Sequence, residues 1–190
     1  MSKKIIIIGG GPGGYIAAIR AAGLGGDVTV IEKENLGGTC LNWGCIPSKI
    51  MKNSAETLQK CLEAADLGID IQGSVTPNLP NLMARKEKIL AAQRKGIESL
   101  LQSRNISIEK GMGRIVSRGL VEVTTEDGAT KELAFDKLII ATGTAPLNIP
   151  DFPFDGRTIL SSNDLLSLEQ IPESLTIVGG GVIGCEFAFI

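Results

Sequence analysis

The hydrophobic pattern at the start of the chain predicts a sheet interleaved with helices. Residues 5–8 and 28–31 are uninterrupted apolar runs, which is the pattern of strands buried on both faces of a parallel sheet. Glycines follow the first run directly, and residues 15–24 are rich in Ala and Ile, which favours a closely packed helix. The pattern therefore predicts a βαβ unit whose second strand ends at Glu32.

The middle of the chain changes from helical to strand-like periodicity. Residues 39–62 and 79–100 carry apolar positions at helical spacing and predict two helices. Four short segments then alternate or run apolar between Gly, Asp and Lys, which predicts an antiparallel meander. They are residues 106–108, 113–116, 120–124 and 132–135. Residues 138–140 predict one further buried strand.

The last part of the chain repeats the opening pattern. Prolines between residues 146 and 153 mark a connector, and an apolar run at 175–178 again leads into glycines. The repeat distance far exceeds that of a solenoid, so we interpret it as domain duplication. The predicted fold is α/β, with a Rossmann-like parallel sheet plus an antiparallel meander in residues 1–145. Residues 146–190 are expected to form a connector and the truncated start of a second Rossmann-like domain.

Composition narrows the classes of partner. The formal net charge is -2 and no run of Lys and Arg forms a patch, so neither nucleic acid nor a membrane is expected as a partner. The apolar run at 5–8 is too short for a signal-peptide core, and nothing approaches a membrane span. A cytoplasmic protein is expected. Its four cysteines would then normally stay reduced, so any disulfide should be catalytic.

Residues 9–14 carry a Gly-x-Gly-x-x-Gly pattern between the first strand and its helix. In a dinucleotide site the first glycine permits the turn, the second admits the pyrophosphate, and the third allows close helix packing. The alternative is a glycine-rich turn without a ligand. An acid at the end of the next strand favours the dinucleotide, because its carboxylate can accept from both ribose hydroxyls. The candidate residues are Gly9, Gly11, Pro12, Gly13, Gly14 and Glu32.

A second fingerprint, at Gly179, Gly181 and Gly184, follows the run at 175–178. Two fingerprints in one chain predict two dinucleotides, one of which reduces the other. The acidic residue that distinguishes the two nicotinamide cofactors would lie beyond residue 190, so this pattern leaves NAD and NADP open.

Cys40 and Cys45 are the candidate reactive side chains. On an ideal helix their α-carbons would lie roughly 8 to 9 Å apart, beyond the reach of about 7 Å for a disulfide. A bridge therefore needs a distorted helix, and Gly44 and Pro47 supply local freedom. Two buried thiols are the alternative. No metal site is expected, because the chain has no histidine and no second close cysteine pair.

Residues 37–49, Gly-Gly-Thr-Cys-Leu-Asn-Trp-Gly-Cys-Ile-Pro-Ser-Lys, resemble the active-site segment of the disulfide oxidoreductase flavoenzymes. The Leu-Asn and Ile-Pro-Ser-Lys choices are most similar to the dihydrolipoamide dehydrogenase branch of that family. Glutathione and mercuric reductases usually carry Val-Asn and Val-Pro there and remain alternatives. The resemblance covers the whole chain, through Glu32-Lys33, Ala141-Thr-Gly143 and the second glycine turn with Glu186.

The resemblance implies an FAD enzyme that oxidises dihydrolipoamide to lipoamide and passes the electrons to NAD+. It implies that Cys40 exchanges with substrate, that Cys45 faces the flavin, and that Lys49 lies near the flavin and pairs with Glu186. The FAD pyrophosphate would lie on residues 9–14. The other implied cofactor-binding residues are Glu32 and Lys33 at the ribose, Gly38 and Thr39 near the phosphates, Gly113 near the adenine, and Ala141, Thr142 and Gly143 against the cofactor.

The resemblance also implies partners for the intact protein. They are a lipoyl-domain dithiol substrate, a 2-oxo-acid dehydrogenase complex, and a second copy in a homodimer. The 190 residues alone are expected to lack turnover, because they contain no histidine to act as base and only a truncated NAD site. The alternative from another class is a flavin-binding module without turnover.

Overall fold

The computed structural model describes residues 2–190. This part of the chain contains thirteen α-helices and β-strands. In chain order they are β1 (Lys4–Ile8), α1 (Pro12–Gly23), β2 (Asp27–Glu32), α2 (Gly38–Trp43), α3 (Cys45–Leu62), α4 (Leu79–Gln102), β3 (Ser107–Lys110), β4 (Met112–Ser117), β5 (Leu120–Thr124), β6 (Thr130–Ala134), β7 (Lys137–Ile140), α5 (Ser162–Leu165) and α6 (Val182–Phe189). A short 3-10 helix covers Ala64–Leu67.

The chain divides into two compact units. The first comprises Met1–Asn42 and Ala91–Ala145, and the second comprises Trp43–Leu90 and Pro146–Ile190. One edge coincides with the predicted boundary at 145/146, but the second unit also takes in the region of α3. The domain division inferred from sequence therefore remains a prediction.

A four-stranded parallel sheet organises the first unit. Its order is β3-β2-β1-β7, and all three pairings are parallel. The strands β4, β5 and β6 form a separate antiparallel sheet in that order. The α/β fold with a parallel sheet and a meander is thus confirmed.

Both faces of the parallel sheet are buried, which explains the uninterrupted apolar runs. On one face Ile7 and Val30 pack with Ala18 of α1 and with Leu101 at the end of α4. Ile31, on the other face, packs with the meander. The buried residues of that cluster are Ile6, Ile8, Ile31, Val121 and Val123. Because side chains alternate along a strand, one apolar run supplies both cores.

The segment around residues 106–108 is a strand, but its predicted place in the meander is wrong. It forms β3, which pairs in parallel with β2 from Thr29↔Ser107 to Glu32↔Lys110. The physical reason is the long helix α4 before it. A helical crossover brings the chain back in the same direction, and Ile106 is 3% exposed in the helix-side core.

The single helix predicted over residues 39–62 is wrong, because two helices, α2 and α3, meet at Gly44. Gly44 has φ -153° and ψ -117°, outside the helical region. Pro47 in the first turn of α3 gives the reason, since its ring would clash with the carbonyl of Trp43 in a continuous helix. The chain therefore bends between the two cysteines of the motif.

The run at 175–178 was predicted as a strand, and this is also wrong. These residues form no strand, because no other described segment pairs with them. A parallel strand exists only through its neighbours' hydrogen bonds. None of the helices in residues 2–190 is both long enough and apolar enough to cross a membrane.

Candidate functional site

The first glycine turn closes tightly between β1 and α1. Gly9 has φ +105°, a conformation that L side chains rarely adopt, and its amide donates to Ile31 O at 2.8 Å. Gly11 caps α1 and Pro12 occupies its first turn. A Cβ on Gly14 would lie 1.8 Å from Gly9 O, so only glycine lets the helix approach the turn this closely. This is the packing role that the fingerprint predicts for its third glycine.

Gly14→Ala is expected to destabilise the chain by about 2 kcal/mol or more, because the new methyl group must displace backbone rather than a flexible side chain. Gly23→Ala is the matched control in the same helix, since no atom lies within 4 Å of its added Cβ. That variant should be neutral or slightly more stable. Thermal and urea unfolding measure both changes. Equal stability of the two variants would contradict the packing described at Gly14.

Glu32 is held in place by two backbone amides. Its Oε2 accepts from Gly10 N at 2.7 Å and its Oε1 accepts from Glu34 N at 2.8 Å. The carboxylate therefore lies against the glycine turn with a fixed orientation. Lys33, by contrast, has an exposed side chain whose Nζ is 3.2 Å from Glu34 Oε1. The link from Gly10 to Glu32 was not foreseen, because a sequence pattern does not show where an amide points.

The end of the loop before α2 and the first residue of α2, Gly38, lie directly on the glycine turn. Gly37 N donates to Gly10 O at 2.9 Å, and a Cβ on Gly38 would lie 2.6 Å from Gly11 Cα. Gly37 and Gly38 have φ +99° and +59°, so the loop needs glycine for its conformation as well as for space. Thr39 follows as an exposed residue of α2. The structure thus brings Gly38 next to the turn that the sequence places at the phosphates.

Two further predicted residues lie at the same carboxyl end of the sheet. A Cβ on Gly113 would lie 3.3 Å from the side chains of both Ile8 and Ile31. Ala141 N donates to Ile8 O at 2.8 Å, and the carbonyl of Ala141 leaves no room for a side chain on Gly9. The exposed residues Thr142 and Gly143 follow. Parallel sheets bind ligands outside this end of their strands.

These residues fit the adenosine diphosphate part of a dinucleotide. The first turn of α1 has no side-chain cap and no acidic residue, so its amides remain available to an anion. The Glu32 carboxylate provides an acceptor at the end of β2. Gly11 and Gly38 approach each other closely and place no side chain at their contact.

The second unit contains the predicted pair of Lys49 and Glu186. Lys49 Nζ on α3 donates to Glu186 Oε1 on α6, so the predicted pairing is confirmed. One turn along α3, Lys52 binds Glu56 at 2.6 Å and lies 5.5 Å from the centre of the Phe189 ring. The hydrogen bond and charge of Glu56 raise the pKa of Lys52, and Glu186 adds to this. Acids and cations therefore alternate where α3 meets α6.

The second glycine turn copies the backbone of the first. Gly179 has φ +114°, and a Cβ on Gly184 would lie 2.2 Å from Gly179 O. Gly181 caps α6 with φ -74° and ψ 176°, and Gly11 caps α1 with φ -73° and ψ -177°. The two turns thus share their backbone geometry, whereas the domain duplication inferred from sequence remains a prediction.

The two cysteines of the motif lie on either side of the bend at Gly44. Cys40 is half-buried in α2 and Cys45 is the exposed first residue of α3. Both are thiols in this structure. Their redox roles, like the catalytic roles of Lys49 and Glu186, remain predictions.

Comparison with known proteins agrees with the motif and the fold. The pyridine nucleotide-disulphide oxidoreductase family matches residues 3–190. This chain belongs to that family. Dihydrolipoyl dehydrogenase from Bacillus subtilis is 43% identical over 185 residues, which are 97% of this chain and 40% of that protein. Dihydrolipoyl dehydrogenase 2 from Haloarcula marismortui is 39% identical, covering 98% of this chain and 40% of the relative.

Solved structures of the pyridine nucleotide-disulphide oxidoreductase fold lead to the same conclusion. LpdA from Mycobacterium tuberculosis matches with a TM-score of 0.81 at 31% identity, covering 90% of this chain and 38% of that one. The flavoprotein disulfide reductase RclA from Escherichia coli matches with a TM-score of 0.80 at 27% identity, covering 99% of this chain and 39% of that one. The chain thus spans about two fifths of the length of these relatives.

Proposed function

We propose that this chain is the FAD-binding and disulfide-bearing part of a dihydrolipoamide dehydrogenase. The observation that carries the proposal is a continuous connection within the first unit. Gly38, which touches the glycine turn, is the first residue of α2, the helix that carries Cys40. One short segment therefore links the phosphate-binding turn to a reactive thiol. This arrangement suits a flavin enzyme that exchanges electrons with a protein thiol, because the protein must position the cofactor against the reacting group.

We propose that the described residues hold FAD through its adenosine diphosphate. The amides of Gly13 and Gly14 would donate to the diphosphate, and Glu32 would accept from the ribose hydroxyls. Lys33, Gly38, Thr39, Gly113 and residues 141–143 would complete the surroundings. When bound, FAD would supply a two-electron acceptor for the protein dithiol and pass the electrons to NAD+.

The chemistry proposed for the chain's own residues is thiol–disulfide exchange. One thiolate of dihydrolipoamide attacks Cys40 Sγ of a Cys40–Cys45 disulfide, and Cys45 leaves as a thiolate. The second substrate thiolate then attacks the substrate sulfur of the mixed disulfide, which releases lipoamide and the Cys40 thiol. One substrate dithiol is oxidised and one protein disulfide is reduced. Two electrons enter the protein; of the two protons lost by the substrate thiols, one is taken up by Cys40 Sγ and one goes to solvent.

The names of the relatives support further proposals about the whole protein. We propose that Gly179, Gly181 and Gly184 begin the NAD site and that the Lys49–Glu186 pair lies near the flavin. The partners would be a lipoyl domain of a 2-oxo-acid dehydrogenase complex and a second copy in a homodimer. The location would be the cytoplasm.

A single-turnover experiment tests the disulfide assignment. The FAD-loaded, oxidised chain is mixed anaerobically with one equivalent of dihydrolipoamide at about pH 8.5, where about half of an unperturbed thiol is ionised. We expect about one lipoamide per chain and loss of the Cys40–Cys45 disulfide, measured by chromatography and peptide mass spectrometry. Cys40→Ser and Cys45→Ser should each abolish lipoamide formation.

Cys61→Ser and Cys185→Ser are the matched controls, since both residues lie outside the motif and should leave the yield unchanged. Reduced glutathione replaces dihydrolipoamide in a parallel reaction. Reduction by glutathione but not by dihydrolipoamide would favour a glutathione reductase-like enzyme over the proposed one. Equal loss in all four cysteine variants would overturn the assignment of the disulfide.

A further inference from the structure

Asn42 is a buried polar residue of the redox segment to which the proposed function gives no role. It lies in α2, is 8% exposed, and directs its amide group back towards the loop before the helix. Its Nδ2 donates to Gly38 O at 3.0 Å and Leu36 O at 3.1 Å, with a longer contact to Asn35 O at 3.4 Å. Three carbonyl oxygens fix the amide orientation, because the side-chain oxygen would repel them.

The loop that Asn42 holds is the one that lies on the glycine turn. Gly37 N donates to Gly10 O at 2.9 Å, and Gly38 is so close to Gly11 that position 38 has no room for a side chain. One side chain therefore joins the helix that carries Cys40 to the loop that contacts the phosphate-binding turn. Without the amide, the carbonyls of Leu36 and Gly38 lose a donor and the loop loses its attachment to α2.

The side-chain oxygen of Asn42 indicates that this residue does more than stabilise the fold. No described residue donates to Asn42 Oδ1, although that oxygen is buried. An unpaired buried acceptor costs about 1 to 3 kcal/mol, which offsets much of what the donated bonds contribute. The side chain therefore ties the segment at residues 36–38 to α2 although one of its own polar atoms has no partner among the described residues.

We propose that Asn42 is a positioning residue that sets the place of Cys40 relative to the dinucleotide diphosphate. The inference rests on the proposed function, because it takes Cys40 as redox-active and the glycine turn as the FAD site. Its consequence is a coupling. A change at residue 42 alters both the affinity for FAD and the dithiol–disulfide equilibrium of Cys40, although the side chain belongs to neither group.

Asn42→Asp and Asn42→Leu test the coupling, because both keep approximately the size of the side chain and remove the amide donors. The equilibrium between the dithiol and the disulfide is measured against glutathione buffers, and FAD affinity by fluorescence titration, both well below the unfolding temperature. We expect the dithiol–disulfide equilibrium constant and the FAD affinity each to change at least about fivefold in both variants. Each variant loses the Nδ2 hydrogen bonds of Asn42, which are worth about 1 kcal/mol or more.

Ser161→Ala is the matched control. Ser161 is also 8% exposed, and its hydroxyl caps α5 in the second unit, so the variant should lose a comparable amount of stability. It should leave FAD affinity and the disulfide equilibrium within about twofold of the parent. If the Asn42→Asp and Asn42→Leu variants both fail to fold, the Asn42→Ser variant, which keeps one hydroxyl donor, is measured in the same way.

The outcomes distinguish failure of the proposed function from failure of the inference about Asn42. A parent chain that forms no Cys40–Cys45 disulfide overturns the proposed function and, with it, the inference. A parent that forms the disulfide while every folded residue-42 variant has the parent's equilibrium and FAD affinity overturns the inference alone. Lower unfolding temperatures with both quantities unchanged, or no folded variant at all, would show that Asn42 is structural only.

Discussion

Glu32→Arg is expected to weaken FAD binding by more than about tenfold, or about 1.4 kcal/mol. The substitution removes both carboxylate acceptors at the end of β2 and leaves the ribose hydroxyls unpaired. It also removes the acceptor of the Gly10 amide, which the carboxylate binds at 2.7 Å. Fluorescence titration with FAD measures the loss. Titration with ADP locates it, because ADP carries the adenosine half alone and should lose affinity similarly.

Glu34→Arg makes the same charge change two residues further along the chain. The Glu34 side chain is exposed and forms an ion pair with Lys33, so its replacement should leave FAD affinity within about twofold of the parent. Glu32→Gln should fall between the two, since it retains one oxygen for Gly10 and loses the charge. If Glu32→Arg bound FAD as tightly as the parent, the assignment of FAD to the first glycine turn would be wrong.

The elements that the sequence predicted correctly are those whose environment repeats along the chain. Residues 5–8 and 28–31 are apolar at every position because both faces of their strands are buried, and β1 and β2 follow from that pattern. The glycines at 9 and 14 could likewise be predicted, because each satisfies a local steric requirement. Such patterns depend on residues that are close in sequence, so they can be recognised without the tertiary structure.

The errors concern features that depend on distant parts of the chain. Ile106 and Ile108 have the composition of a strand, but whether that strand is parallel depends on the 24-residue helix before it. Residues 175–178 have the composition of a strand and lack a neighbour in the described residues. Asn42 was identified from the sequence only as part of the motif, because no sequence pattern shows that its side chain donates to three backbone carbonyls.

The purified 190-residue chain is expected to show no steady dihydrolipoamide:NAD+ turnover, even when it is folded and loaded with FAD. Repeated exchange near neutral pH needs a base, because an unperturbed thiol with a pKa of about 8.5 is only a few per cent ionised there. The chain contains no histidine to serve as that base. We also expect the 190 residues to hold too little of the proposed nicotinamide site, because residues 175–178 pair with no strand among the described residues.

The missing base and the incomplete nicotinamide site should affect different half-reactions. One equivalent of dihydrolipoamide should still reduce the Cys40–Cys45 disulfide slowly, and the rate should rise with pH as substrate thiols ionise. Added NAD+ should not reoxidise the reduced chain. NADH formation is followed anaerobically by absorbance, beside a polypeptide extended to the length of the relatives. Steady NADH production by the 190 residues at the rate of the longer polypeptide would show that neither the missing base nor the incomplete nicotinamide site limits the reaction.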